Sequence, residues 1–282
     1  MDSEKIIYSL PVKVYKPVDG RLQGIKWREL WEYRELLYFL TWRDVKLRYK
    51  QAALGVAWAV LQPLLTMVIF TVIFGNFAKL PSEGIPYPVF SFVALIPWQL
   101  FSGSLSRAGT SLVANSNLLT KVYFPRLIIP ISAVAAGLVD FVISLIILLG
   151  LMFIYGIVPS WTIITLPFFI LLSALTALAV GLWLSALNVQ YRDVQHAIPF
   201  IIQAWMYASP VAYSADLVPS GIVRILYGLN PLAGVIQGFR WALLRGSPPD
   251  LLFVASIIVV VLLLITGLMY FRKMEDRFAD IV

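Results

Sequence analysis

From residue 54 onward the chain is dominated by apolar runs long enough for a helix to cross hydrocarbon. A core about 30 Å thick needs about 20 such residues. Six runs meet or approach that length: Leu54 to Phe77, Val89 to Val113, Leu127 to Tyr155, Thr162 to Leu187, Ala197 to Tyr213 and Leu251 to Phe271. The fifth is the shortest. None shows the roughly ten-residue segments of alternating hydrophobicity that mark barrel strands, and backbone in lipid must pair within its own segment or in a closed barrel. The pattern predicts an all-α integral membrane protein with six transmembrane helices.

Two stretches outside these runs are also patterned. In the first, Trp27, Leu30, Trp31, Leu37 and Tyr38 share one helical face and Arg28, Glu29, Glu32 and Glu35 the other, with Arg34, Leu36 and Phe39 interrupting. This predicts an amphipathic helix lying in the membrane interface, its aromatic rings at headgroup level. In the second, the connection from Ser214 to Asp250 is too apolar for a plain loop and too broken by Pro219, Gly228, Pro231 and Gly234 for a span. It predicts two short re-entrant helices, Gly221 to Gly228 and Leu232 to Leu244, packed against protein. Gly234 and Gly238 permit a close helix contact there. The layout is a cytoplasmic N-terminal segment (1–53), a transmembrane domain (54–271) and a cytoplasmic tail (272–282).

Composition agrees: of 282 residues, 60% are hydrophobic and 13% charged, and the mean hydropathy is +0.84. Polar surface for a second, soluble domain is missing after residue 53. With no Cys and a single His196, thiol chemistry and Cys-based metal sites are excluded. A net charge of +7 raises the question of nucleic acid, but the cations are not gathered on one soluble face. They report orientation instead. With the N-terminus inside, cytoplasmic segments hold 17 Lys and Arg and outside segments hold 4. Both termini are therefore expected in the cytoplasm, and the first 20 residues do not read as a cleavable signal peptide.

No Gly-Lys dipeptide occurs, so no GxxxxGK[ST] phosphate loop exists to cradle a nucleotide, and HExxH and GxSxG are absent too. Asp140 is the one acidic residue deep in a span. Burying it costs at least about 2.5 kcal/mol, so it should face protein or water, either as a proton or substrate site or as a structural partner to Ser or Asn. Arg107 is its obvious charge partner, yet it lies near the inner end of its own helix and can snorkel to the cytoplasm. Arg43, Lys46, Arg48 and Lys50 stand just before the first span. They are candidate phosphate contacts, and equally a positive-inside anchor on anionic lipid. The loop Asn115 to Arg126, NSNLLTKVYFPR, carries Leu118, Leu119, Tyr123 and Phe124 among polar residues, as a docking surface or an interfacial anchor would. Aromatic and amide side chains within spans, Trp58, Gln62, Phe70, Trp98, Phe101, Gln203, Trp205 and Tyr207, suit a sugar path or ordinary helix packing.

Four stretches together resemble a known family: RDVKLRYKQAALGVAWAVLQP (Arg43 to Pro63), NLLTKVYFPRLIIP (Asn117 to Pro130), LNVQYRDV (Leu187 to Val194) and LNPLAGVIQGFRWALL (Leu229 to Leu244). The sequence is similar to the permease subunits of ABC transporters that export O-antigen, capsule and teichoic acid polysaccharides. The resemblance implies a homodimer in the cytoplasmic membrane, working with a separate nucleotide-binding subunit that uses ATP and Mg while this chain binds no cofactor. Asn117, Leu118, Leu119, Thr120, Lys121, Tyr123 and Phe124 then resemble the coupling loop that docks on the ATPase. Trp27 to Tyr38 resembles the interface helix at the cytoplasmic mouth, and Asn230, Pro231, Gly234, Gly238 and Arg240 fall in the outer gate helices. Family substrates travel on a polyprenyl pyrophosphate lipid. The residues alone leave other readings open: a proton-coupled carrier working through Asp140, a membrane enzyme processing a polyprenyl phosphate near Arg48, or a drug or small-lipid exporter.

Overall fold

The computed structural model describes residues 27–50, 57–275 and 278, apart from the side chain of Trp27. Residues 1–26, the start of the first expected span and most of the expected tail lie outside the described residues. All regular elements described are helical. Among the described residues, five stretches are long and apolar enough to cross a membrane: Ala57–Phe77, Tyr87–Ala114, Ile128–Ile154, Trp161–Gln190 and Leu252–Glu275. Their bounds fall within a few residues of the expected runs, because each run is bounded by polar or Pro/Gly positions. In chain order the helices are α1 (Trp27–Glu32), α2 (Arg34–Lys50), α3 (Ala57–Phe70), α4 (Tyr87–Ala114), α5 (Ser116–Lys121) and α6 (Ile128–Ile154). There follow α7 (Leu166–Gln190), α8 (Val194–Tyr207), α9 (Ile222–Gly228), α10 (Pro231–Leu244) and α11 (Leu252–Glu275).

The centre of the bundle is α4, which packs against α3, α6, α7, α8 and α10. Close approach is set by small residues: a Cβ at Gly181 of α7 would meet the Ala108 Cβ at 2.7 Å. Side chains then bond across the contact, Ser173 Oγ donating to the Pro97 carbonyl at 3.1 Å and Asn188 Nδ2 to that of Gly109 at 3.3 Å. Such bonds hold helices where hydrophobic driving force between them is weak. Beyond Phe70, α3 continues as a π-helical stretch, Thr71–Phe77. At Gly75 in that stretch a Cβ would lie 2.8 Å from the Tyr87 ring, so the backbone there closes on the start of α4.

The fifth expected run forms a shorter helix than its pattern implied. α8 has 14 residues, about 21 Å at 1.5 Å per residue, less than the hydrocarbon thickness. It stops at Tyr207 because Pro210, three residues on, has no N–H to carry the ladder forward, and the carbonyls beyond the end are held by side chains instead. Asn230 Nδ2 donates to the Ala208 carbonyl at 3.1 Å, and Arg240 to those of Tyr213 and Val211 at 3.0 and 3.5 Å. The two expected short helices are present as α9 and α10, bent by 78° to one another. Taken as one broken span, this pair gives a sixth crossing; otherwise it is re-entrant.

The expected interface helix is also recast. It comprises α1 and α2, and α2 continues to Lys50, carrying the cation run with it. Leu30, Leu36, Leu37 and Leu40 join an apolar cluster with Leu127 and Ile128 at the start of α6. Further along, the end of α2 meets Asp140 of α6. The two helices therefore run side by side in the same direction. The single apolar face read from sequence divides: Leu30 and Leu37 pack inward, while Trp31 and Tyr38 stand outward, 68% and 63% exposed. Outward they are joined by Phe39, Trp42 and Leu47. Two of the residues that interrupted the pattern fall on these two faces, Leu36 inward and Phe39 outward, and Arg34 lies over the Trp31 ring.

Candidate functional site

Three helices converge on Asp140. Arg48 Nη1 donates to Asp140 Oδ2 and the Tyr49 hydroxyl to Oδ1, both from the last turn of α2. Arg107 Nη1, from α4, stands 3.8 Å from Oδ2. Arg107 is further positioned by the Ala133 carbonyl and Ser104 Oγ, each accepting at 3.4 Å. Room for it comes from Gly137, where a Cβ would lie 2.5 Å from Arg107 Nη2. The Ser or Asn partner expected for Asp140 is thus replaced by two guanidiniums and a phenol, and Arg107 turns to the carboxylate instead of snorkelling away. Tyr49 carried no signal in the sequence. Its role depends on a residue 91 positions away.

The four candidate phosphate contacts separate by partner. Arg48 is engaged with Asp140. Arg43 pairs with Asp44 at 2.8 Å and reaches Asn115 Oδ1 at 2.7 Å, tying α2 to the loop after α4. Lys46 lies 5.6 Å from the Trp42 ring centroid, a cation–π distance, and both Lys46 and Lys50 are exposed. The two arginines are therefore spoken for within the chain and the two lysines face outward.

Within the loop between α4 and α6, the expected exposed cluster is partly interior. Leu119 and Phe124 are 5% and 4% exposed, packed with Leu112, Leu182 and Phe271. Leu118 is half-buried in the same cluster. A short connector has no way to present every apolar side chain outward while its ends are fixed on two long helices, so these residues anchor it. Asn117, Thr120, Lys121 and Tyr123, with Val122, form the exposed surface.

The candidate path residues separate as well. Phe70 and Trp98 are buried, 6% and 4% exposed. Their rings pack on Phe74 and Phe101, which places both in the core rather than on any path. Phe101 itself is fully buried. Trp58 and Gln62 of α3, and Gln203 and Tyr207 of α8, are exposed. Trp205 is half-buried, edge-on to Phe101 with ring centroids 5.0 Å apart.

At the other end, Asn230 organises the α8 to α10 region. Its Oδ1 accepts from Trp205 Nε1 at 2.8 Å and caps α10 by accepting from Leu232 N at 3.0 Å. Its Nδ2 reaches Ser209 Oγ at 2.9 Å as well as Ala208. The Asn-Pro pair at 230–231 is an ordinary helix-start signal, and it could have marked this cap from sequence. Gly234 and Gly238 do allow close contact, but with different partners: Phe253 of α11 and Phe169 of α7 occupy the space a Cβ would need. Arg240 is 5% exposed, its guanidinium 3.8 Å from the Phe90 centroid. Close to its carbonyl partner at Tyr213, Ser214 Oγ donates to Glu83 at 2.5 Å. An apolar cavity of about 740 Å³ lies beside this region, between Trp205, Tyr213, Tyr227 and Leu263.

Residues 35–244 match the profile of the ABC-2 type transporter family. The chain belongs to that family. ABC-2 members are transport permeases rather than enzymes, so the enzyme reading lapses. Among relatives, the O-antigen export system permease protein RfbA of Myxococcus xanthus is 33% identical over 258 residues, covering 90% of this chain and 97% of that protein. A protein of the same name from Klebsiella pneumoniae is 30% identical, with 88% and 95% covered. The polysialic acid transport protein KpsM of Escherichia coli is 26% identical, with 83% and 91% covered. As an ABC-2 permease the chain is a multi-pass membrane protein, and its family implies an ABC ATPase as partner. All four stretches that carried the resemblance fall within or overlap the matched region.

Proposed function

We propose that this permease exports a lipid-linked polysaccharide across the cytoplasmic membrane as a homodimer, driven by ATP and Mg bound in two separate nucleotide-binding subunits. The observation that carries the reading is the outward face of α3 and α8. Both are apolar helices, yet Gln62 and Gln203 are exposed on them beside Trp58 and Tyr207. Amide groups at membrane depth are best placed against water or another helix rather than lipid. A second copy set against this face encloses a path whose aromatic rings suit the apolar faces of sugars and whose amides hold water. Full-length similarity to O-antigen export permeases supports the substrate class.

Energy enters through the exposed part of the loop after α4, Asn117 to Tyr123, which meets the nucleotide-binding subunit on the cytoplasmic side. Movement there passes to α2 through Arg43 and Asn115, and into α4 directly. Both termini are cytoplasmic in this reading. The test is deletion of the gene followed by complementation. Export predicts loss of surface polysaccharide with accumulation of its lipid-linked form inside the cell, restored by the wild-type chain only together with its ATPase. Normal surface polysaccharide in the deletion strain rejects the reading. The chain has no Cys, so Gln62→Cys alone reports the dimer face by symmetric cross-linking in membranes.

A further inference from the structure

The cluster around Asp140 has one carboxylate between two guanidiniums, with a phenol hydroxyl as a further donor. Asp44, which pairs with Arg43, also acts on Arg107; with that pair counted, the charge is still unbalanced by one positive unit. Planar guanidinium forks and a hydroxyl are the donors that recognise phosphate oxygens, for which a single carboxylate is an incomplete substitute. The cluster is also reachable: the side chains of Arg48, Asp140 and Arg107 are 28%, 32% and 30% exposed. It joins the last turn of α2 to the middle of α6.

We infer that Asp140 is a built-in stand-in for a phosphate oxyanion. In the resting chain its carboxylate occupies the Arg48, Tyr49 and Arg107 donors and latches α2 to α6. An arriving phosphate or pyrophosphate group takes those donors, Asp140 is released, and the end of α2 is freed just ahead of the first span. Substrate arrival thereby loosens the helix that flanks its own way in. The inference rests on the export reading only for the source of the phosphate, a lipid-linked substrate.

The test uses the complete permease–ATPase complex in phosphatidylcholine nanodiscs, with hydrogen exchange followed in residues 43–50. The probes are inorganic pyrophosphate, farnesyl pyrophosphate, and nanodiscs containing phosphatidylglycerol with no added probe. Either pyrophosphate should speed exchange at the end of α2 in the wild type. A response to phosphatidylglycerol alone assigns the same site to a lipid headgroup. Asp140→Asn should exchange fast without any probe and bind pyrophosphate about tenfold more tightly, the factor expected if the carboxylate holds the site nine-tenths of the time. Arg48→Gln should exchange fast and lose binding. Unchanged exchange in the wild type with all three probes overturns the inference, as does Asp140→Asn binding no more tightly. If Asp140→Asn fails to assemble, the wild-type exchange decides. A complex that responds in this way but moves no polysaccharide rejects the export reading and keeps the latch. Normal export with an unresponsive α2 rejects the latch alone.

Discussion

Replacing Asn230 by Ala should loosen the junction of α8 and α10 in a way that can be measured residue by residue. Four bonds go at once: Trp205 Nε1 and Leu232 N lose their acceptor, and Ala208 O and Ser209 Oγ lose their donor. An N-cap contributes about 1 kcal/mol. The Trp205 bond is half-buried and contributes about another 1 kcal/mol, with a smaller part from the more exposed amide contacts, for a total cost of about 2–3 kcal/mol. At 1.4 kcal/mol per tenfold, local opening at the Leu232 amide should become about 30- to 150-fold more frequent. Hydrogen exchange on the complex in nanodiscs reads that directly. Asn230→Asp keeps the acceptor for Trp205 and Leu232 but not the two donated bonds, so it should fall between. Exchange at Leu232 within threefold of wild type in the Ala variant would refute the assignment of Asn230 as the organising residue.

Phe124→Ala, at a buried ring, should destabilise the end of the bundle that carries the α4–α6 loop by about 3–5 kcal/mol and lower the melting temperature of the complex. Tyr123→Asp, on the exposed surface, should leave the permease dimer assembled while ATP hydrolysis no longer yields export; normal export in that variant would show that the ATPase docks elsewhere. Arg240→Met should free the Val211 and Tyr213 carbonyls and cost about 2–4 kcal/mol, seen as faster exchange across 208–214. Gly238→Ala forces a methyl into the Phe169 ring and should cost about 1–3 kcal/mol by overpacking, whereas Gly221→Ser should show its cost as strain at positive φ rather than as a clash.

The spans were legible because a helix in lipid needs a long apolar run and little else in this chain has one. The bend between α9 and α10 was legible from Gly228 and Pro231 for the same local reason. What local pattern does not carry is which side of a helix meets protein. Phe124 and Tyr123 are neighbours of similar size, yet one is core and the other surface, and only the placement of α7 and α11 decides between them. The end of α8 was legible in Pro210, but the groups that hold the carbonyls after it come from Asn230 and Arg240, more than twenty residues on. The basic run before the first span was visible as charge, but its division into engaged arginines and outward lysines depends on Asp140 and Asn115.

The position of α4 at the centre bears on how the chain is made. Its most apolar window has a mean hydropathy of only 1.4, against 3.0 for α11, while 78% of that window is buried in protein against 17%. It carries Gln99, Arg107, Thr110 and several serines that suit protein neighbours better than lipid. During synthesis α4 leaves the ribosome before α6, α7 and α10, the helices that cover it. In a chain that ends at residue 115, α4 has none of these neighbours. The later helices supply the polar and packing partners for α4 that lipid does not.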